Sequence, residues 1–220
     1  MKLICLIVFL LLVRYSYTQT GTLTDSRDGK IYKTVVIGTQ TWMAENLNVS
    51  IFRNGDVIKG AFTYQQWRKN GESEIPAWCY YENDSINNKK YAKLYNWYAV
   101  NDKRGLAPEG WHIPSQEEWD LLINFLGGED IAGERMKSID GWNVEGNGTN
   151  VSNFSAYPGG RCNFGGGFDA TMGSVGCWWS TTEYEAPYSA LYKYLSCNYG
   201  GVFSGNNLRG SGMSIRCVKD

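Results

Sequence analysis

The sequence has 220 residues, a formal net charge of −1 at pH 7 and a hydrophobic fraction of 43%. Its charges are nearly balanced and form no basic cluster, which excludes the electrostatic surface typical of nucleic-acid-binding proteins. The 26 Gly, 9 Trp and 15 Tyr indicate a loop-rich and strand-rich domain held together by aromatic packing.

Residues 1–18 have the pattern of a secretory signal peptide. Lys2 supplies the positive start, residues 3–13 are apolar, and Ser16 and Thr18 are the small residues before a cleavage point at Gln19. Arg14 and the polar residues after it end the apolar stretch early, which favours a signal peptide over an uncleaved membrane anchor, and Cys5 lies too near the start for lipidation. No other stretch is apolar enough to span a membrane. We therefore expect a secreted or surface-exposed mature chain, residues 19–220, that folds as a single domain.

A hairpin and a helix are predicted in the first half of the mature chain. Residues 29–37 have strand composition, residues 38–40 form a turn, and residues 41–44 form a returning strand. Residues 50–75 are polar with weak periodicity. Residues 91–101 are the first helix candidate, because Leu94, Trp97 and Tyr98 share one face at helical spacing.

The second helix is the best-specified element. Ser115 is a strong N-cap, and Glu118 stands three residues later, so the two side chains can form a capping box. Gly127 supplies a left-handed stop. Between these ends runs one apolar stripe at helical spacing, formed by Trp119, Leu122, Ile123 and Leu126.

From residue 154 the chain alternates between strands and Gly-rich turns. Strands are predicted at residues 154–157, 176–181, 190–198, 202–203 and 212–218. Residues 183–211 are rich in Tyr, Asn, Ser and Gly, a mixture that suits recognition. About half of these tyrosines should point into the core, because side chains alternate along a strand. The candidate ligand-binding residues are Tyr184, Tyr188, Tyr192, Tyr194, Asn198, Tyr199, Asn206, Asn207 and Arg209.

The mature chain retains an odd number of cysteines, so at least one is free or pairs with another molecule. There is no C-x-x-C pair, and the single His makes a Cys/His zinc site unfavourable. If a hairpin turns about Pro187, Cys177 and Cys197 fall opposite each other, and we predict a disulfide between them. The five cysteines are Cys79, Cys162, Cys177, Cys197 and Cys217.

Several ordered stretches carry a resemblance to a known family. They are QTWMAENL at 40–47, LYNWYA at 94–99, GWHIPS at 110–115 with EW at 118–119, GWN at 141–143, FSA at 154–156 with PGG at 158–160, WWSTTE at 178–183, and SIRCVKD at 214–220. In this order they resemble the Fibrobacter succinogenes major paralogous domain, an extracellular bacterial family, over nearly all of the mature chain.

That family in turn resembles the C-type-lectin-like fold, through sulfatase-modifying-factor proteins that share the second helix and an Arg-containing final strand. The resemblance implies an α+β fold in which two helices flank small twisted antiparallel sheets. It also implies that the termini meet in one sheet and that long loops form the outer face. Ala107 stands where family members often carry a Cys, so the family pattern gives Cys217 no partner.

The sequence favours structural roles over metal binding or catalysis for the remaining candidate residues. His112 lies at the start of the second helix with no nucleophile placed around it by the sequence, so we interpret it as a core or capping residue. The Glu-Pro-Asn and Gln-Pro-Asp tripeptides of lectin calcium sites are absent, and Trp142-Asn143 is followed by Val144 rather than an acid. We therefore expect no metal and no cofactor.

The sequence predicts a non-catalytic binding module whose ligand is a glycan or a surface protein. One alternative is a thiol-dependent copper oxidase like the sulfatase-modifying relatives, which would need two neighbouring thiolates. A second alternative is a structural component of a cell-envelope assembly.

Overall fold

A computed structural model describes residues 19–169 and 171–220, so the predicted signal peptide lies outside the described residues. The described chain is a mixed α+β structure with small, mainly antiparallel sheets. Its strands are β1 Thr20–Thr24, β2 Ile31–Ile37, β3 Gln40–Met43, β4 Lys59–Gly60, β5 Ala77–Cys79, β6 Leu94–Asn96, β7 Trp111–His112, β8 Val175–Tyr184, β9 Ser189–Ser196, β10 Phe203–Leu208, β11 Gly212–Met213 and β12 Val218–Lys219.

The helices are short. They are α1 Tyr64–Glu72, α2 Asn88–Tyr91, α3 Trp97–Val100, α4 Gln116–Phe125 and α5 Glu129–Met136, with 3-10 turns at Tyr81–Asn83 and Ser85–Asn87. None of the helices in the described ranges has the length and apolar character needed to cross a bilayer.

The first and last strands lie in one five-stranded sheet, in the order β1-β2-β3-β12-β7. The predicted hairpin is confirmed, with Ile37 paired to Gln40 and Gly38 at φ 62° in the turn. Val218 of β12 pairs with Trp42 on one side and His112 on the other. The sheet therefore joins the two ends of the described chain, as the family resemblance implies.

The prediction for helix α4 is confirmed in detail. Ser115 accepts a hydrogen bond from the Glu118 amide, and the Glu118 carboxylate accepts one from the Ser115 amide, which completes the capping box. Gly127 has φ 98°, the left-handed conformation that favours glycine. Trp119 is fully buried and packs 4.8 Å from Trp42 between ring centroids. The helix is thus fixed by its cap and by one indole.

The predicted helix over residues 91–101 is wrong for most of its length. Leu94–Asn96 is strand β6, in which Tyr95 pairs with Trp78 on one side and Met213 on the other. Helix α3 begins only after Asn96, whose side chain caps it by accepting from the Ala99 amide. Pairing with two distant strands overrides the local helical spacing.

The late strands form a three-stranded sheet in the order β10-β9-β8. Strands β8 and β9 are joined by a turn in which Tyr184 pairs with Ser189. The predicted strand at residues 154–157 forms only an isolated bridge from Ala156 to Lys137, and the predicted closing strand is divided into β11 and β12.

Buried apolar side chains form three clusters. The central core lies between the sheets, the helix core lies under α4 and α5, and the small core lies beside α1. Members that define them are Tyr32, Trp97 and Trp179 in the central core, Trp42, Trp119 and Trp178 in the helix core, and Trp67, Cys79 and Cys162 in the small core.

Candidate functional site

The predicted ligand-binding residues are divided between the two ends of the β8–β10 sheet. Tyr184 and Tyr188 lie at the β8–β9 turn, whereas Tyr194 and Tyr199 lie towards the opposite end. Strand β9 has 8 residues, so the two ends are about 23 Å apart at ~3.3 Å per residue. The structure therefore does not bring the predicted residues together as one surface.

Towards one end, aromatic rings form a continuous row from the core to solvent. Ring centroids are 6.0 Å apart for Trp179 and Tyr192, 5.8 Å for Tyr192 and Tyr194, 5.2 Å for Tyr194 and Phe203, and 5.9 Å for Phe203 and Tyr199. The exposed fraction is 8% for Tyr192, 36% for Phe203 and 63% for Tyr199. We call these five residues the aromatic row; its outer end, Phe203 and Tyr199, is open to solvent.

Phe203 was not among the predicted site residues. It stands directly opposite Tyr194 in the β9–β10 register and stacks on that ring at an interplanar angle of 24°. The signal that points to it is the Gly200-Gly201 turn, which returns the chain antiparallel to β9. Strand pairing, rather than residue type, therefore adds Phe203 to the site.

The turn that carries Tyr199 is fixed to helix α5. The Gly200 carbonyl accepts a hydrogen bond from the Glu134 amide at 2.6 Å, and the Tyr199 carbonyl accepts one from Lys137 Nζ at 2.5 Å. A Cβ at Gly133 would lie 2.6 Å from the Gly200 carbonyl oxygen and would also clash with that of Gly201. The missing side chain of Gly133 thus lets helix and turn approach closely, which holds the outer end of the aromatic row in place.

The inner part of the aromatic row is anchored by a polar contact. Arg161 Nη1 donates to the Tyr192 hydroxyl at 3.2 Å, while Arg161 Nε is paired with Asp169 at 3.2 Å. Gly205 lies opposite Tyr192, and a Cβ there would come within 2.8 Å of its ring. Burial raises the pKa of Tyr192, so its phenol remains neutral and serves as packing.

At the other end of the sheet, several of the predicted residues bind other groups of the protein. Tyr188 is 71% exposed and lines a groove of about 240 Å³ with Arg209. Arg209 lies over the Trp97 ring at 4.4 Å and is paired with Glu183 at 3.0 Å. Asn207 Oδ1 accepts from the Leu208 amide and from Ser211, and Asn206 is exposed, whereas Asn198 is exposed beside Tyr199. Of this group, Tyr188 has the most exposed ring, and Tyr184 is 39% exposed.

His112 belongs to the cap of α4. Its Nε2 lies 2.7 Å from Glu118 Oε1, and its Nδ1 lies 2.7 Å from Asp220 Oδ1. The other Glu118 oxygen accepts from the Ser115 amide at 2.8 Å. Burial lowers the pKa of His112, but the hydrogen bonds to Asp220 and Glu118 outweigh this and raise it above the ordinary value. The imidazole therefore joins the end of the chain to the helix cap.

The predicted Cys177–Cys197 disulfide is not formed in this structure, where both cysteines are free. The β8–β9 register changes between Trp179 and Glu183, so Cys177 stands opposite Tyr194. The Cys197 amide instead bonds to the Ser174 carbonyl at 2.8 Å. The two thiols consequently lie in different clusters, Cys177 in the central core and Cys197 in the helix core.

Within residues 19–169 and 171–220, no three His, Cys, Asp or Glu side chains are placed to hold a metal ion.

Comparisons with known proteins identify a family but no characterised relative. No curated protein and no solved structure matches the sequence significantly. The family model described as the Fibrobacter succinogenes major domain matches residues 35–219, from strand β2 to strand β12. The match includes helix α4 and the whole aromatic row, and the chain therefore belongs to the Fibrobacter succinogenes major domain family.

Proposed function

We propose that the protein is an exported, non-catalytic binding module, and that its ligand is a glycan held at the outer end of the aromatic row. The observation that carries this proposal is the pair of exposed rings, Tyr199 at 63% and Phe203 at 36%, on a turn fixed to helix α5. Aromatic rings with one apolar face and a polar tip suit the mixed apolar and hydroxylated surface of a sugar.

Rigidity of the two rings favours binding. Tyr194 stacks on Phe203, and the Tyr199 backbone is bonded to Lys137, so little conformational freedom remains to be lost when a ligand binds. Asn198, next to Tyr199, is exposed and offers an amide for hydrogen bonding to hydroxyl groups. These features match the combination of rigid aromatic and adaptable polar contacts found in recognition surfaces.

A C-type-lectin-like fold is part of the proposal. The meeting of β1, β2 and β12 in one sheet, with α4 packed under it, supports this assignment. Export of the chain is supported by the apolar residues 3–13 and the small residues that precede Gln19.

The test is a glycan array followed by titration calorimetry on Tyr199→Ala and Phe203→Ala. Each change should weaken binding about tenfold, since a central aromatic contact contributes about 1.4 kcal/mol or more. Tyr188→Ala is the matched control, because Tyr188 is exposed to a similar degree at the other end of the sheet. Equal losses in all three variants would contradict the proposed location. An array without any bound glycan would contradict the ligand class and leave a surface protein as the ligand to seek.

The thiol-dependent oxidase alternative receives less support. Cys79 and Cys162 contact each other through their thiols in the small core, but both are buried. Burial raises the pKa of Cys79 and raises that of Cys177 to about 12, which favours the thiol over the thiolate that copper chemistry needs.

A further inference from the structure

An open cleft of about 580 Å³ lies away from the late strands. It is bounded by the loop after β3, helix α2 and the segments that contain Asp140 and Tyr157. Its ionisable lining consists of four cationic side chains, two carboxylates and one phenol: Lys30, Lys89, Lys90, Arg216, Glu45, Asp140 and Tyr157. The cleft therefore has an excess of positive charge.

The floor of the cleft contains a buried guanidinium without a carboxylate in contact. Arg216 is 1% exposed, and its Nε donates to Asn46 Oδ1 at 2.8 Å. Nη1 donates to the carbonyls of Met43 and Phe154, and Nη2 donates to the carbonyl of Ser155. All of these acceptors are neutral, and the fifth N–H of the guanidinium, on Nη2, has no acceptor among the described residues. A buried charge in contact with neutral partners alone leaves a positive potential in the space above it.

The carboxylates of the cleft are fewer than its cations. Lys90 and Asp140 form an ion pair at 2.7 Å, which cancels their charges. Glu45 is the remaining carboxylate; one of its oxygens accepts from the Lys33 amide at 2.7 Å, and its charge acts on Arg216 and Lys30. Lys89 is exposed. Three cations, Lys30, Lys89 and Arg216, thus stand against one carboxylate, and the cleft keeps a net positive charge.

The cleft also offers an unused hydrogen-bond acceptor. Asn88 Oδ1 is buried at the wall and has no partner in the described structure. Such an atom is satisfied when a ligand hydroxyl or amide donates to it. The Tyr157 hydroxyl, which donates to Asp140 Oδ1 at 3.1 Å, provides a further polar group in the cleft. A ligand that fits all of these groups carries both an anion and hydroxyl groups.

We propose that this cleft binds an acidic saccharide unit, with its carboxylate or sulfate directed to Arg216 and Lys89 and a hydroxyl donating to Asn88. The site is separate from the aromatic row and does not depend on the function proposed for it. Burial lowers the pKa of Arg216 and that of Lys30, and a bound anion would favour the charged form of each group.

Titration calorimetry on the purified protein tests the proposal with four probes: an oligogalacturonate, a sulfated oligosaccharide, a neutral oligosaccharide of equal length and sodium sulfate. The uronate and sulfate oligosaccharides distinguish the two anion types. We expect at least one of them to bind, the neutral one not to bind, and affinity to fall as ionic strength rises. Equal binding of the neutral oligosaccharide, or binding of sodium sulfate alone, would overturn the proposal.

Paired variants locate the binding site. Lys30→Gln with Lys89→Gln should weaken binding about tenfold, because the charge-assisted contact of Lys89 and the positive charge of Lys30 at the rim are both lost. The control, Lys59→Gln with Lys103→Gln, makes the same charge change at exposed positions outside the cleft and should alter affinity by less than about twofold. An equal loss in the control would show that binding follows net charge rather than the cleft.

Two further variants separate this proposal from the aromatic row and from general unfolding. Asn88→Ala should weaken the acidic saccharide but leave any binding of inorganic sulfate unchanged, since sulfate has no hydroxyl group to donate. Tyr199→Ala should leave binding in the cleft unchanged. Loss of cleft binding in Tyr199→Ala with a normal melting temperature would overturn the separation of the two sites.

Discussion

Helix α4 and the outer end of the aromatic row both present a conspicuous aromatic residue, but they use it in opposite ways. Trp119 is fully buried between Trp42 and Phe154, and Ser115 and Glu118 at the start of its helix are paired with each other. Tyr199 is 63% exposed, although its backbone is fixed to helix α5 just as firmly. The difference shows that a rigid position does not distinguish a structural residue from a proposed binding residue.

What distinguishes the two regions is whether the ring is covered by other side chains or exposed to solvent. His112 contacts two carboxylates and thereby closes a polar cluster, whereas Tyr199 and Phe203 retain exposed ring area. The sequence draws attention to His112 and Tyr199 alike. Changes in the helix region should therefore reduce stability, and changes at the outer aromatic row should reduce binding.

The largest effect is expected for Trp119→Ala. Removing a fully buried indole leaves a cavity between Trp42 and Phe154, and the free energy of unfolding should fall by about 3–5 kcal/mol. Urea denaturation measures the change. Leu121 lies on the same helix and is 58% exposed, so Leu121→Ala should change the free energy of unfolding by less than about 0.5 kcal/mol. Similar losses in both variants would contradict the packing described for α4.

Gly133→Ala should affect both stability and binding. The added methyl group meets the carbonyls of Gly200 and Gly201, so overpacking should cost about 1–3 kcal/mol and move the turn that carries Tyr199. Gly200→Ala is the control, since the nearest atom to its Cβ is 3.7 Å away. Denaturation and glycan titration on both variants test the coupling. Normal glycan affinity in a destabilised Gly133→Ala would break the link between α5 and the aromatic row.

Ser115→Ala should lower the free energy of unfolding by about 1 kcal/mol through loss of the N-cap. The Glu118 amide then loses its acceptor, which the structure places at 3.2 Å. Ser115→Thr keeps a hydroxyl group and should recover most of the loss. Glycan binding should be unchanged in both variants, and a binding defect would show that the helix region and the aromatic row are not independent.

The smallest effect concerns pH and His112. Its pKa is raised in the folded protein above the ordinary value of 6.5, because the charged ring contacts Asp220 and Glu118. This contribution to stability is complete below the unfolded pKa and is lost as pH rises through the folded pKa. His112 is 40% exposed, so the loss should be below about 1 kcal/mol. Denaturation from about pH 5.5 to about pH 9 should show the decrease, and His112→Gln should remove it. An unchanged slope in the variant would assign the pH dependence to another group.

The part of the fold that the sequence predicts well is local. Ser115, Glu118 and Gly127 lie at the two ends of one helix, so the interactions predicted for them do not depend on distant parts of the chain. Helix α1 was missed because residues 50–75 carry weak periodicity, although Thr63 caps it in the structure. Residues 94–96 have helical spacing but form strand β6, because the strands that pair with it, β5 and β11, are separate segments of the sequence.

The candidate site was predictable in composition but not in geometry. The Tyr-rich segment was recognised, yet only pairing with β10 shows that Phe203 meets Tyr194 and that Tyr192 is buried. The Cys177–Cys197 prediction assumed a regular hairpin, and the irregularity between Trp179 and Glu183 leaves no trace in residue type. The cleft around Arg216 could not be predicted, because its walls come from segments spread along the whole chain.

The position of strand β12 has a consequence for the order of events during biosynthesis. Val218 lies between Trp42 and His112, so the five-stranded sheet has a gap until residues 218 and 219 are available. Contacts this distant in sequence make folding slow relative to local helix formation. Helix α4, whose cap and apolar stripe are local, can therefore form before the five-stranded sheet is complete.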